Sequence, residues 1–222
     1  VEILQGRRRP RLLREELRLS LDFLEPRNCP ATVHPTLAFF QPQDDGSLTP
    51  YRTSAPTGTT PADVRHAYGF DKISFAGGAV AADGAGMTIA IVDAYDNPNI
   101  AYDLKRFDAQ FHLPDPTFTK VNQRGGSTMP KADSGWGSEI ALDVEWAHAI
   151  APKAALLLVE ADSASYDDMI AAVRYAAGRP GVVAVSMSWG SREFAAQLNY
   201  DKAFTTPAGH AGVTFIASSG DY

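Results

Sequence analysis

Four near-continuous apolar runs, 88–93, 155–160, 181–187 and 213–218, mark the second half of the chain, each short enough to be a strand covered on both faces. A weaker fifth run lies at 118–121. The segments between them, 100–111, 138–150, 165–177 and 193–204, carry apolar residues at helical spacing, with Gly178 placed to end the third. Strand and helix in alternation predict a parallel sheet with right-handed crossovers, hence a doubly wound α/β fold with helices on both faces. Upstream, Thr60 is suited to cap a short helix that opens on Pro61 and runs to Tyr68.

Residues 31–61 are rich in Pro, Thr, Ser and Gly, a composition of extended linkers. The expected organisation is therefore a basic leader and linker over 1–59, largely disordered, followed by one folded unit over 60–222. Of the net charge of −6, seven arginines against five acids in residues 1–33 leave the remainder near −8. An acidic body excludes nucleic acid as the main ligand, because phosphate contacts need clustered Lys and Arg. No apolar run reaches the roughly 18 residues of a membrane span, and the start lacks the apolar core of a standard secretory signal. The single cysteine, Cys29, permits no internal disulfide.

In open parallel sheets ligands gather beyond the carboxyl ends of the strands, which here carry Asp93, Glu160, Ser188 and Asp221. On the helix 138–150, Glu139, Asp143, Trp146 and Ile150 fall within about 60° of one another, so the two acids share a stripe with apolar residues. Carboxyl groups one turn apart can share a proton, and burial with like-charge repulsion splits their ionisation. Such a pair works as a general base at acidic pH, where histidine is already protonated. The same spacing also suits a plainer arrangement, with Glu139 at the helix N-terminus beside Ser138 and Asp143 paired to a cation. Asp93, with Asp96 and Asn97, reads as a structural turn, and the five histidines as packed or surface residues.

Three segments tip the balance. Gly137-Ser138-Glu139-Ile140-Ala141-Leu142-Asp143 resembles the sedolisin segment in which a Glu and an Asp serve a catalytic serine, Ala217-Ser218-Ser219-Gly220-Asp221 resembles that family's oxyanion motif, and 60–69 its mature-domain opening. The resemblance implies a subtilisin-like fold and a serine-type endopeptidase acting at acidic pH, with Glu139 as base, Asp143 orienting it and Asp221 at the oxyanion. It also implies that Ser188, Trp189 and Gly190 pair with a peptide or protein substrate, and that the setting is extracellular. The family's Gly-Thr-Ser nucleophile and its calcium ligands lie later than Tyr222, so no metal site is expected in this chain. The chain is expected to lack the C-terminal part of the fold and to be unable to form an acyl-enzyme alone. The alternative is an inactive peptide-binding remnant of the same fold.

Overall fold

The computed structural model describes the backbone of residues 34–35, 40–42, 48–50 and 58–219, and side chains from 58 to 219. The arginine-rich start, Cys29 and Asp221 lie outside the described residues. Strands β1 (His34–Pro35), β2 (Phe40–Pro42) and β3 (Leu48–Pro50) come first, with β2 and β3 antiparallel. Helix α1 (Pro61–Ala67) opens on a capping box: Thr60 Oγ1 accepts from the Asp63 N–H at 3.2 Å while Asp63 Oδ2 accepts from the Thr60 N–H at 2.9 Å. A small antiparallel pair, β4 (Ser74–Phe75) and β5 (Val80–Ala81), leads into the main sheet.

That sheet contains β6 (Thr88–Ala94), β7 (Phe118–Asn122), β8 (Ala155–Ala161), β9 (Val182–Met187) and β11 (Thr214–Ala217), with β10 (Trp189–Gly190) outside it. The spatial order is β11-β9-β6-β8-β7, and every pairing is parallel. Helices α2 (Ile100–Phe111) and α3 (Ser134–Ile150) follow β6 and β7, and α4 (Tyr166–Ala177) follows β8. The expected doubly wound arrangement is therefore present. The segment 193–204 differs from expectation: it forms a 3-10 helix over Gln197–Phe204 only, and the Gln197 side chain captures the Phe194 N–H at 3.2 Å just before it.

Because side chains alternate along a strand, each central strand feeds two cores. Ala90, Val92 and Ala94 of β6, with Leu157, Val159 and Ala161 of β8 and Val185 and Met187 of β9, pack with Met169, Ile170 and Val173 of α4. Ile91 of β6 and Leu156 and Leu158 of β8 meet Ile100 and Leu104 of α2 and Ile140 and Val144 of α3 on the other face. Ile140 is fully buried there, and truncation to alanine would cost about 2–5 kcal/mol. No helix among the described residues is long and apolar enough to cross a membrane.

Candidate active site

The same alternation decides what lies at the carboxyl ends. Asp93 continues the parity of Ile91, Glu160 that of Leu158, and Lys120 that of Phe118, so all three belong to the face covered by α2 and α3. Asp93 and Glu160 are direct neighbours in the register of β6 and β8, and both are fully buried. Two acids therefore stand side by side at the end of an apolar stripe, on the face covered by α3.

Helix α3 starts at Ser134, four residues earlier than its sequence suggests. Asp133 caps it, Oδ1 accepting from the Trp136 N–H at 3.0 Å, and Asn97 Nδ2 donates to the Gly137 carbonyl at 2.9 Å. Glu139 therefore sits in the second turn, so the arrangement in which it caps the helix N-terminus does not apply. Its side chain is buried, 1% exposed. Asp143, one turn on, is half-buried and takes a hydrogen bond from Ser188 Oγ on Oδ1 at 2.8 Å rather than a salt bridge from a cation. Its Oδ2 finds no hydrogen-bond partner among the described residues.

Burial, reinforced by Asp143, Glu139 and Glu160, pushes Asp93 well above the ordinary aspartate range. Burial also raises Asp143 to about 6, against the pull of the Ser188 hydroxyl. Glu160 is pushed up to about 8 by burial, although Lys120 and the Asn97 N–H oppose it. Lys120 Nζ lies 3.7 Å from Glu160 Oε1 but donates to Asp96 Oδ1 at 2.5 Å and to the Asn97 carbonyl at 3.0 Å, while the Asn97 N–H reaches Glu160 Oε1 at 3.2 Å. The cation thus serves the outer edge of the cluster. Asp93, Glu139 and Asp143 form an acid-rich centre that holds protons well above the usual carboxylate range at Asp93 and Asp143.

Glu139 and Asp143 come together as expected, and Asp93, expected to be a structural turn residue, joins them. Its position at a strand end with inward parity was the signal available. Ser188 turns its hydroxyl toward Asp143, and the buried Trp189 donates from Nε1 to the Val92 carbonyl at 2.7 Å. Gly190 is exposed, and Trp189–Gly190 pair antiparallel with the backbone of His34–Pro35. His148 is a packed core residue. Among the described residues no three acidic, His or Cys side chains are arranged to hold a metal ion.

No protein-family model matches the sequence. The chain is 30% identical over 182 residues to kumamolisin of Bacillus sp. (strain MN-32), a match that covers 77% of this chain. It spans 30% of that relative's length. Pseudomonas sedolisin, a serine-carboxyl proteinase solved with two molecules of pseudo-iodotyrostatin, superposes with a TM-score of 0.53 at 24% identity, over 64% of this chain and 41% of that one. The parallel sheet, its helices and the structural match define a subtilisin-like α/β fold. With the sequence match, they support its membership of the sedolisin family.

Proposed function

We propose that the chain supplies the acid–base centre of a serine-type endopeptidase of the sedolisin kind, completed by a nucleophilic serine contributed from outside residues 1–222. The observation that carries this reading is the buried Glu139 on the same stripe as the Ser188-bonded Asp143, at the carboxyl end of the sheet and with no cation bonded to Asp143 among the described residues. Glu139 as carboxylate takes the serine hydroxyl proton while the oxygen attacks the peptide carbonyl. It then returns that proton to the leaving amine. Asp143 remains protonated below about pH 6 and orients its neighbour without adding charge.

Asp221, on the strand-end motif, takes the oxyanion role in this reading, as a neutral carboxylic acid that donates a hydrogen bond. Peptide binding falls to the Trp189–Gly190 edge, where an extended segment adds as a strand. The antiparallel pairing of that edge with His34–Pro35 supports its capacity to accept one. Calcium and an extracellular setting belong to the whole protein in this proposal. The test is Glu139→Gln in the protein carrying its nucleophile, assayed on a peptide at acidic pH. Peptidase turnover should fall by about 10²–10⁴-fold, and retained turnover would remove Glu139 as the base.

A further inference from the structure

We propose that Ser188 is a positioning residue: by donating its hydroxyl to Asp143 Oδ1, it aims that carboxyl and sets the pH at which the acid pair gives up its shared proton. The inference rests on the reading of Glu139 and Asp143 as that pair and deepens it. The two residues are 45 positions apart and come from different elements, α3 and the end of β9, so the 2.8 Å contact is a product of the tertiary fold. The segment is itself held: the neighbouring indole of Trp189 donates to the Val92 carbonyl at 2.7 Å, and the Met187 carbonyl accepts from the Ser218 N–H at 3.1 Å. Such anchoring leaves the hydroxyl little freedom to follow a moving acceptor.

The acids that act on Asp93 at the end of β6 are Asp143 and Glu139 from α3 and Glu160 from β8, so Asp143 belongs to a cluster of acids. Lys120 from β7 is engaged by Asp96, the Asn97 carbonyl and Glu160. Among the described residues Ser188 is the hydrogen-bond donor on Asp143, and it makes the two carboxyl oxygens inequivalent, one bonded and one without a partner. A neutral donor favours the ionised form without cancelling its charge. A lysine at this point would hold Asp143 ionised, and an apolar residue would leave it protonated to somewhat higher pH.

The test follows carboxyl carbon shifts against pH in the ¹³C-labelled 222-residue chain, with Asp143 assigned by Asp143→Asn. Ser188→Ala should move the Asp143 midpoint to higher pH by about one pH unit. Ser188→Cys, with its weaker S–H donor, should move it less, and Ser188→Thr, which keeps the hydroxyl, should restore it. An unmoved midpoint in the Ala chain, or a Thr chain that shifts as far as Ala, overturns the proposal. Should the Ala chain fail to fold, Cys against Thr decides: a higher midpoint in Cys supports it, and equality overturns it. No nucleophile enters this measurement, so its failure is distinct from retained activity in Glu139→Gln.

Discussion

Helix α3 carries buried ionisable groups at both of its ends, and the two ends are built on opposite plans. Toward its C-terminus His148 and Asp108 of α2, both almost wholly buried, face each other with Nε2 and Oδ1 3.2 Å apart. Burial lowers His148, against the Pro114 carbonyl and Asp115. Burial and then Asp115 raise Asp108 to about 6. A single proton held between this base and acid would leave the pair neutral. Toward the N-terminus, Glu139 and Asp143 face Asp93, an acid, and the nearest lysine serves the periphery. Burial is therefore a poor marker of chemistry by itself. Acids crowded together with the lysine at their outer edge, at the open end of the strands, are the discriminating feature.

Removing the base from the balanced end should have the largest effect on stability. His148→Leu keeps the volume but strands Asp108, and at pH 8 it should lower the unfolding free energy by about 3–5 kcal/mol in urea titrations. At pH 5 the loss should be smaller, because Asp108 then takes up a proton and needs no partner. A cost below about 1 kcal/mol at both pH values would put this pair on the footing of a surface contact and dissolve the contrast.

A second expectation treats both ends together. Asp143 at about 6, Glu145 at about 7 (burial first, then Asp103 and Asp108) and Glu160 at about 8 are all raised above their unfolded values, so the folded chain holds more protons across that range. The stability these groups contribute is complete below about pH 4 and is lost as the pH climbs through about 6 to 8. His148, lowered in the folded state, acts in the opposite sense and loses stability as the pH falls below about 6.5. The acids outnumber it, so the melting temperature should rise from pH 8 to pH 5. A calorimetric series that falls over this interval would mean that the acid-rich end is far better solvated than its burial implies.

Much of the fold was legible because the central strands are covered on both faces and so read as unbroken apolar runs, whatever their spatial order. Their order was not legible, since β6 pairs with β8 and β9 rather than with its chain neighbour β7. The start of α3 was missed because Ser134-Gly135-Trp136-Gly137 is a poor helix former by local propensity. Tertiary contacts, the buried Trp136 and the Asn97 bond to Gly137, outweigh that weakness. At the site, the four-residue spacing put Glu139 and Asp143 on one stripe, and the resemblance of 137–143 to the sedolisin segment tipped the balance toward their working as a pair. Asp93 was marked by its strand-end position and parity, but its pairing with Glu160 follows from strand register and the contact of Ser188 with Asp143 spans 45 residues, which no local pattern encodes.

The smallest effect expected tests whether the two ends of α3 are also separable in their stability. Asp133→Ala removes the acceptor for the Trp136 N–H and should cost about 1 kcal/mol. Because Asn97 still holds the Gly137 carbonyl and Trp136 remains buried, the helix should persist, with the loss concentrated in its first turn. Amide hydrogen exchange should accelerate around 136–139 and stay unchanged around 147–150, where Arg65 binds the Ile150 carbonyl from α1 and His148 meets Asp108. Equal acceleration at both ends would make α3 one cooperative unit. Strain at its acid-rich end would then be shared by the neutral pair, and the two regions could not be tuned independently.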